Sequence, residues 1–550
     1  MARVDRSVTW KRCLVALAVL SSAVVATQGL SAAPRASHAW AAALPGCDAS
    51  RPAVAHRANQ AVLAPQPDNG PVPCGMKTGW PTVETRVEVT NQNAVIQEPA
   101  LLTNFPVAGG SGHIYGMGGR GEGLARTTND GRTWDAVSVE LPPDLTIEEG
   151  GVDNNLYVDH ATGRFFFYLF GPHYVQSPSC LIPGVNPATI AFSDDNGTTW
   201  TWGFDLDHAC SENPTLVSSV PTVSDLAQSS YPDVVYLCGD DTSTGAGGTG
   251  NPGFSCSKSL DGGAHWLGSI IQGTVLAGQG FYSGPLKDNR DPYTQCGGQS
   301  SSSGAGVQPL PNGTLAVVVS CNGLTFLSES KDEGASWQFA HPVPHGGSLR
   351  TDSVGNLYLL QKSADAKQLL LSHSTNGGVT WTRDLNVVAP GVTSVGTFNF
   401  AQGTYAQGLV GDIAVTYYGN RGTNTTSDGF ITATKDALAV DPVFWSGQVN
   451  STKRPLLYNT QTSGNIGLTI LDFNGGAWSP DGRSVWGSFV QDCGANLATD
   501  ATCTSRYPGT NPADPEDGFA GRLVWPPALS AAAHVRKATP HARTASTSHR

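Results

Sequence analysis

The pattern Ser/Thr-x-Asp/Asn-x-Gly-x-x-Trp occurs five times in this chain, at Thr127–Trp134, Ser193–Trp200, Ser259–Trp266, Ser330–Trp337 and Ser374–Trp381. Successive starts lie 66, 66, 71 and 44 residues apart. A motif that returns at such intervals marks a repeat architecture, in which each repeat is one supersecondary unit that buries its apolar face against its neighbours. Within the motif the third-position Asp or Asn bonds to its own turn, and the glycine supplies a positive φ. The tryptophan is expected to anchor the loop by burying a large apolar area between adjacent sheets. The motif aspartates therefore read as structural.

Runs of alternating or β-branched residues precede each octapeptide, such as Phe165 to Phe170, Leu315 to Ser320 and Leu369 to Ser372. They read as strands. With 65 Gly and 36 Pro in 550 residues, the composition suits short strands and tight turns. The expected fold is all-β: a single β-propeller of four-stranded antiparallel blades. Five units carry octapeptides; a sixth around Leu409 to Trp445 has a decayed loop near Lys435-Asp436, and a seventh runs from Asn465 to Trp525. The count is seven, with six as the alternative, and Val87 to Thr90 is the expected closing strand.

Residues 1–43 read as a signal peptide and Ala-rich cleavage region, with Arg3, Arg6, Lys11 and Arg12 ahead of the apolar run Cys13 to Ala26. Residues 44–80 form a disulfide-bridged lead-in, 81–527 the propeller and 528–550 a basic disordered tail. Export to the extracellular space or envelope implies an oxidising compartment, and ten cysteines remain after Cys13. Neighbouring pairs 47–74, 180–210, 238–256, 296–321 and 493–503 are the natural bridges, although sequence leaves connectivity open. No transmembrane span beyond the leader is expected. The net charge of −12 becomes about −19 for the middle of the chain once the basic ends, +3 and +4, are set aside, which argues against nucleic acid as a partner. The expected state is a monomer.

The five octapeptides resemble the Asp-box, or BNR, repeats of the sialidase superfamily. The resemblance implies a propeller that acts on extracellular glycans or glycoconjugates, as an exo-sialidase type of glycoside hydrolase. Sialidases hold the substrate carboxylate with arginines, use a Tyr–Glu pair as nucleophile and an Asp as acid/base. Their Phe/Tyr-Arg-Ile-Pro motif is missing: the corresponding stretch reads Gln97-Glu98-Pro99-Ala100-Leu101. Other propellers also carry Asp boxes, so a non-catalytic glycan- or protein-binding propeller and a structural envelope protein are the alternative readings.

In a propeller the residues entering each innermost strand converge on one end of the axis. On that basis the catalytic candidates are Arg290, Asp291 and Tyr293, which combine an anion clamp, a carboxylate and a phenol, together with Arg350, Glu149 and Asp153. Glu98, Glu148, Tyr231, Asp233, His345, Asn399 and Asn465 occupy comparable places in this reading. Tyr417-Tyr418 is read as strand aromatics packed between blades. The chain contains no GxSxG elbow, phosphate-cradling loop, HExxH or paired CxxC. No cofactor and no metal are implied.

Overall fold

The structure is a computed structural model that describes residues 44–67, 69–79, 85–93, 96–104, 122–137, 139, 145–147, 155–159, 161–169, 172–174, 188–205, 214–221, 228–241, 253–266, 306–321, 323–334, 336–401, 409–422, 426–457, 474–479, 481–492 and 516–526. Described strands group into seven antiparallel sheets of three to five strands and one two-stranded ribbon, Leu145–Ile147 with Pro172–Tyr174. There is no α-helix among the described residues.

In chain order, the first sheet starts with Thr85–Asn93, the second with Asn155–Val158, the third with Thr215–Ser219 and the fourth with Gln308–Pro309. The fifth starts with Ser348–Thr351, the sixth with Ser394–Phe400 and the seventh with Gly475–Trp478. These leading strands lie side by side in order from first to fifth, and that of the sixth lies against that of the seventh. Arg350 Nε donates to Phe400 O at 3.0 Å between the fifth and sixth, and Gly475–Trp478 lies against Thr85–Asn93. The arrangement is a propeller whose leading strands are innermost.

The ring is completed by Val72–Lys77. This strand pairs with Glu516–Val524 along six residues, from Val72↔Val524 to Lys77↔Phe519, as the outer strand of the seventh sheet. The expectation that Val87 to Thr90 would close the ring is therefore corrected: those residues lie in the innermost strand of the first sheet, paired with Ile96–Asn104. Val54–His56 adds a fifth strand to the sixth sheet beside Phe444–Gln448. Two of the expected bridges are present, Cys47–Cys74 and Cys238–Cys256. The other three pairings include cysteines outside the described residues.

All five octapeptides adopt one and the same turn at the end of the third strand of a sheet. The first-position hydroxyl accepts from the glycine N–H: 2.9 Å at Gly131, 2.7 Å at Gly197 and Gly263, 2.8 Å at Gly334 and 2.9 Å at Gly378. The same hydroxyl donates to the Asp or Asn side chain, and that oxygen also accepts the N–H of Thr133, Thr199, His265, Ser336 or Thr380. The motif oxygens are thus spent within the loop. At Thr434 and Asp436 the hydroxyl-to-carboxylate bond survives, but the carboxylate reaches Val443 N instead, because the loop is longer.

Each tryptophan seals the junction with the preceding sheet. Trp266 packs with Phe166 and Leu216 between the second and third sheets, and Trp337 with Tyr236 and Val317 between the third and fourth. Trp134 meets Trp486 of the seventh sheet edge-on at 6.5 Å. Trp200 and Trp381 are half-buried and pack against the cores of the first and second sheets and of the fourth and fifth. Apolar area is therefore buried between sheets rather than in one central core.

Candidate functional site at the propeller axis

Glu88 on the innermost strand of the first sheet and Arg350 on that of the fifth meet electrostatically across the ring. Glu88 is 3% exposed. Burial raises its carboxyl to about 8, with the Arg350 charge working in the opposite sense. Burial likewise lowers the Arg350 guanidinium to about 10, offset by Glu88. At neutral pH Glu88 is mostly protonated, so Arg350 lacks a full counter-charge from it. The two form no ion pair at 4.0 Å or less among the described residues.

The Arg350 head is oriented by the backbone. Nε donates to Phe400 O at 3.0 Å and Nη1 to Leu349 O at 2.8 Å, and the guanidinium lies 5.8 Å from the Phe400 ring centroid. Beside it a Cβ on Gly306, at φ +65°, would stand in van der Waals contact at 3.7 Å from Arg350 Nη1 and from Thr215 Oγ1. Around the ring, Asn399 lies next to Phe400 and opposite Thr416. Thr416 Oγ1 donates to Gly475 O at 2.9 Å and accepts Asn474 Nδ2 at 3.0 Å. Asn399 Oδ1 and Asn474 Oδ1 are buried with no hydrogen-bond partner among the described residues. Gly475 packs against the Arg86–Val87 backbone, so the arc returns to Glu88.

This arrangement offers a neutral carboxylic acid as proton donor, a guanidinium for an anion and two amide oxygens as acceptors. No contact among the described residues brings a second carboxylate beside Glu88. Nor do the described residues contain a group of three or more His, Cys, Asp or Glu that could hold a metal ion.

Of the residues singled out from sequence, Arg350 and Asn399 lie on this arc. Arg290, Asp291, Tyr293, Glu148, Glu149, Asp153 and Asn465 lie outside the described residues. Glu98 belongs to the second strand of the first sheet, opposite Thr90. Tyr231 and Asp233 precede the second strand of the third sheet, so they sit at the octapeptide end rather than at the entry to an innermost strand. There Asp159 accepts from Tyr231 Oη at 2.5 Å, Thr162 Oγ1 at 2.9 Å, Ala161 N at 3.0 Å and Ser218 Oγ at 3.2 Å. Burial and the Asp159 charge raise Asp233. The network joins the second and third sheets, and its central carboxylate is fully satisfied.

His345 has the makings of a Ser-His-Asp set, with Asp384 Oδ1 at 3.1 Å and Ser372 Oγ at 3.4 Å. Both contacts fall on Nε2, while Nδ1 meets Gly346 O, and Ser372 is fully buried. That geometry relays no proton from a nucleophile to a carboxylate. Tyr417 and Tyr418 are packed between sheets: Tyr417 stacks on Phe430 at 5.6 Å, and Tyr418 Oη accepts Val490 N at 2.6 Å.

Glu88 and Asn474 escaped the sequence reading. The signal for Glu88 was an acid flanked by Val87 and Val89, which an alternating pattern assigns to a solvated face. Only ring closure shows that this face is inside.

By its sheets and their cyclic order the chain belongs to the β-propeller class of folds. No family model matches the sequence. No curated protein matches it either. Solved structures similar to it include "Hadza microbial sialidase Hz136", 12% identical over 76% of this chain at a TM-score of 0.32, of which the chain spans 66%. Another is "YCF48 bound to D1 peptide", 11% identical over 82% of this chain and 96% of that one at 0.36. A third is a Penicillium chrysogenum alpha-L-arabinanase, 10% identical over 68% of this chain and 98% of that one at 0.34.

Proposed function

We propose that the chain is an exported seven-bladed propeller that hydrolyses extracellular glycans ending in an acidic sugar, an exo-sialidase type of reaction. Arg350 binds the anionic group, and Glu88 passes its proton to the glycosidic oxygen as the C–O bond breaks. Water adds to the sugar carbon and returns a proton to Glu88, so the acid is regenerated. The blade count is supported by seven sheets of at least three strands with adjoining leading strands. The feature that carries the reaction is the pairing on the axis of Glu88, whose carboxyl burial raises to about 8, with the charge of Arg350, which forms no ion pair among the described residues. Export is supported by the basic and apolar leader and by the two bridges.

The test is release of 4-methylumbelliferone from its sialic-acid conjugate by the purified protein, beside a panel of neutral aryl glycosides. Turnover of the acidic conjugate is expected, with Arg350→Met and Glu88→Gln each lowering it by about a hundredfold or more. Turnover of neutral glycosides alone, or turnover indifferent to both substitutions, would overturn the assignment. A second reading, a binding propeller without turnover, is favoured by one feature: two guanidinium nitrogens of Arg350 are already committed to backbone carbonyls. Glycan binding with no product release would support it.

A further inference from the structure

A single line of hydrogen bonds runs through the buried interior of the sixth sheet. Ala389 N, on the segment that leaves the fifth sheet, donates to Tyr417 Oη at 2.8 Å. Tyr417 Oη stands 3.2 Å from Thr432 Oγ1, Thr432 Oγ1 2.6 Å from Ser446 Oγ, and Ser446 Oγ 2.8 Å from His56 Nε2. His56 Nδ1 meets Arg57 O at 2.9 Å. Tyr417, Thr432 and Ser446 belong to the second, third and fourth strands of that sheet, and His56 to the fifth, Val54–His56. Their four side chains are buried.

The two ends of the line fix every proton between them. A carbonyl oxygen only accepts, so His56 Nδ1 carries the imidazole hydrogen and Nε2 accepts from Ser446. Ser446 has then spent its hydrogen, so Thr432 donates to it and Tyr417 donates to Thr432. At the far end an amide N–H only donates, and the Tyr417 oxygen accepts it. Five hydrogens therefore serve five contacts. An imidazolium brings a sixth, and whichever way the hydroxyls turn, one buried hydrogen is left without an acceptor in the line.

The surroundings of the ring do not favour a charge either. Burial holds the imidazole below its usual value of 6.5, and the Arg57 carbonyl pulls it part of the way back. The fourth strand presents Phe444, with ring centroids 5.9 Å apart, and Ser446; Val62 bridges to His56 from the other side. Arg57 turns its guanidinium to the exposed Asp441 carboxylate at 3.1 Å. The strand that carries His56 has three residues and pairs with a single strand. It is tethered by the Cys47–Cys74 bridge before it and by Val72–Lys77 after it, so it can leave without opening the ring.

We propose that His56 is an acid-sensitive latch: its protonation releases Val54–His56 from the sixth sheet and bares the edge of Phe444–Gln448, while the ring stays closed. An edge so bared is open to pairing with another strand. A histidine held below its ordinary value docks fully above 6.5, and its tie weakens by up to about tenfold for each unit of pH below that.

Hydrogen exchange read by mass spectrometry on the full-length protein, at about pH 7.5 and about pH 5 and corrected for intrinsic rates, tests this. Protection of Val54–His56 should fall by about tenfold or more at the lower pH, with that of Val72–Lys77 unchanged. His56→Gln offers the same donor and acceptor without titrating, so its protection should stay level. Arg57→Gln removes the ion pair with Asp441 and should keep the loss. Equal protection of the wild type at both pH values would overturn the proposal. So would a loss shared by Val72–Lys77, a loss that persists in His56→Gln, or one that Arg57→Gln abolishes, which assigns it to Asp441. Where the glutamine variant does not dock near neutral pH, the NMR titration of the His56 imidazole decides: the loss must follow that curve, and a loss complete while His56 is still neutral overturns the latch.

Discussion

Glu88 carries the least expected chemistry in the molecule. Its ordinary value is near 4.5 and burial moves it to about 8. A carboxyl raised in the folded state contributes most below its unfolded value, and that contribution fades as pH rises through the folded one. Stability should therefore decline between about pH 4.5 and pH 8 on account of this residue. Glu88→Gln is isosteric and uncharged, so urea denaturation should show a shallower decline across that window and a gain on the order of a few kcal/mol at pH 8. An unchanged slope would place the Glu88 carboxyl in a wetter environment than its burial indicates. The same titration bears on turnover: a proton donor near 8 should lose activity as pH rises past that value, and the alkaline limb should vanish in Glu88→Gln along with the rate.

At the scale of elements, the octapeptide turns divide into more and less consequential copies, although their sequences look alike. Trp337 is 1% exposed between the third and fourth sheets, whereas Trp381 is half-buried. Trp337→Ala should cost about 3–5 kcal/mol in chemical denaturation, and Trp381→Ala clearly less, because the cavity left by a partly exposed ring fills with water. Gly263→Ala is a sharper test of the turn itself. Its φ is +99°, and a Cβ there would stand 2.9 Å from the Phe166 ring, so the variant should destabilise by well over the ~1 kcal/mol usual for a lost glycine. The turns were legible in sequence because all their bonding is local, from the hydroxyl of Ser193 to the N–H of Gly197 and from Asp195 to the N–H of Thr199. The axial site was only partly legible. Arg350 and Asn399 precede or enter strands that the pattern located, but Glu88 reads as solvated until the fifth sheet is brought opposite the first. Tyr231 differs from its expected place for a related reason: the short strand Thr215–Ser219, with little alternation to mark it, is the leading strand, so Val234–Asp241 is the second rather than the first.

A ring of sheets holds only if its first and last members are joined, and here the join is made by backbone far from either innermost strand. Val72–Lys77 supplies the outer strand of the sheet whose other strands come from residues 475–524. Val72 and Cys74 are fully buried in it, and Thr78 adds bonds from its N–H and hydroxyl to Gly518 O. The Cys47–Cys74 bridge holds the preceding segment on the same strand, closing a loop with a sequence separation of 27. Two perturbations separate these contributions. Cys47→Ser/Cys74→Ser leaves the strand pairing intact and removes the loop constraint, which should lower stability by about 3 kcal/mol while circular dichroism stays native. A chain that begins at residue 80 loses the strand itself and exposes the free edge of Glu516–Val524 together with the apolar face that Val72 covered. Exposed strand edges pair with other chains, so this variant should associate or aggregate, with a melting temperature well below that of the serine variant. If it instead remained a monomer of undiminished stability, the join would have to lie in the contact of Gly475–Trp478 with Thr85–Asn93. The hydrogen-bonded outer strand would then be an accessory to a ring already closed from within.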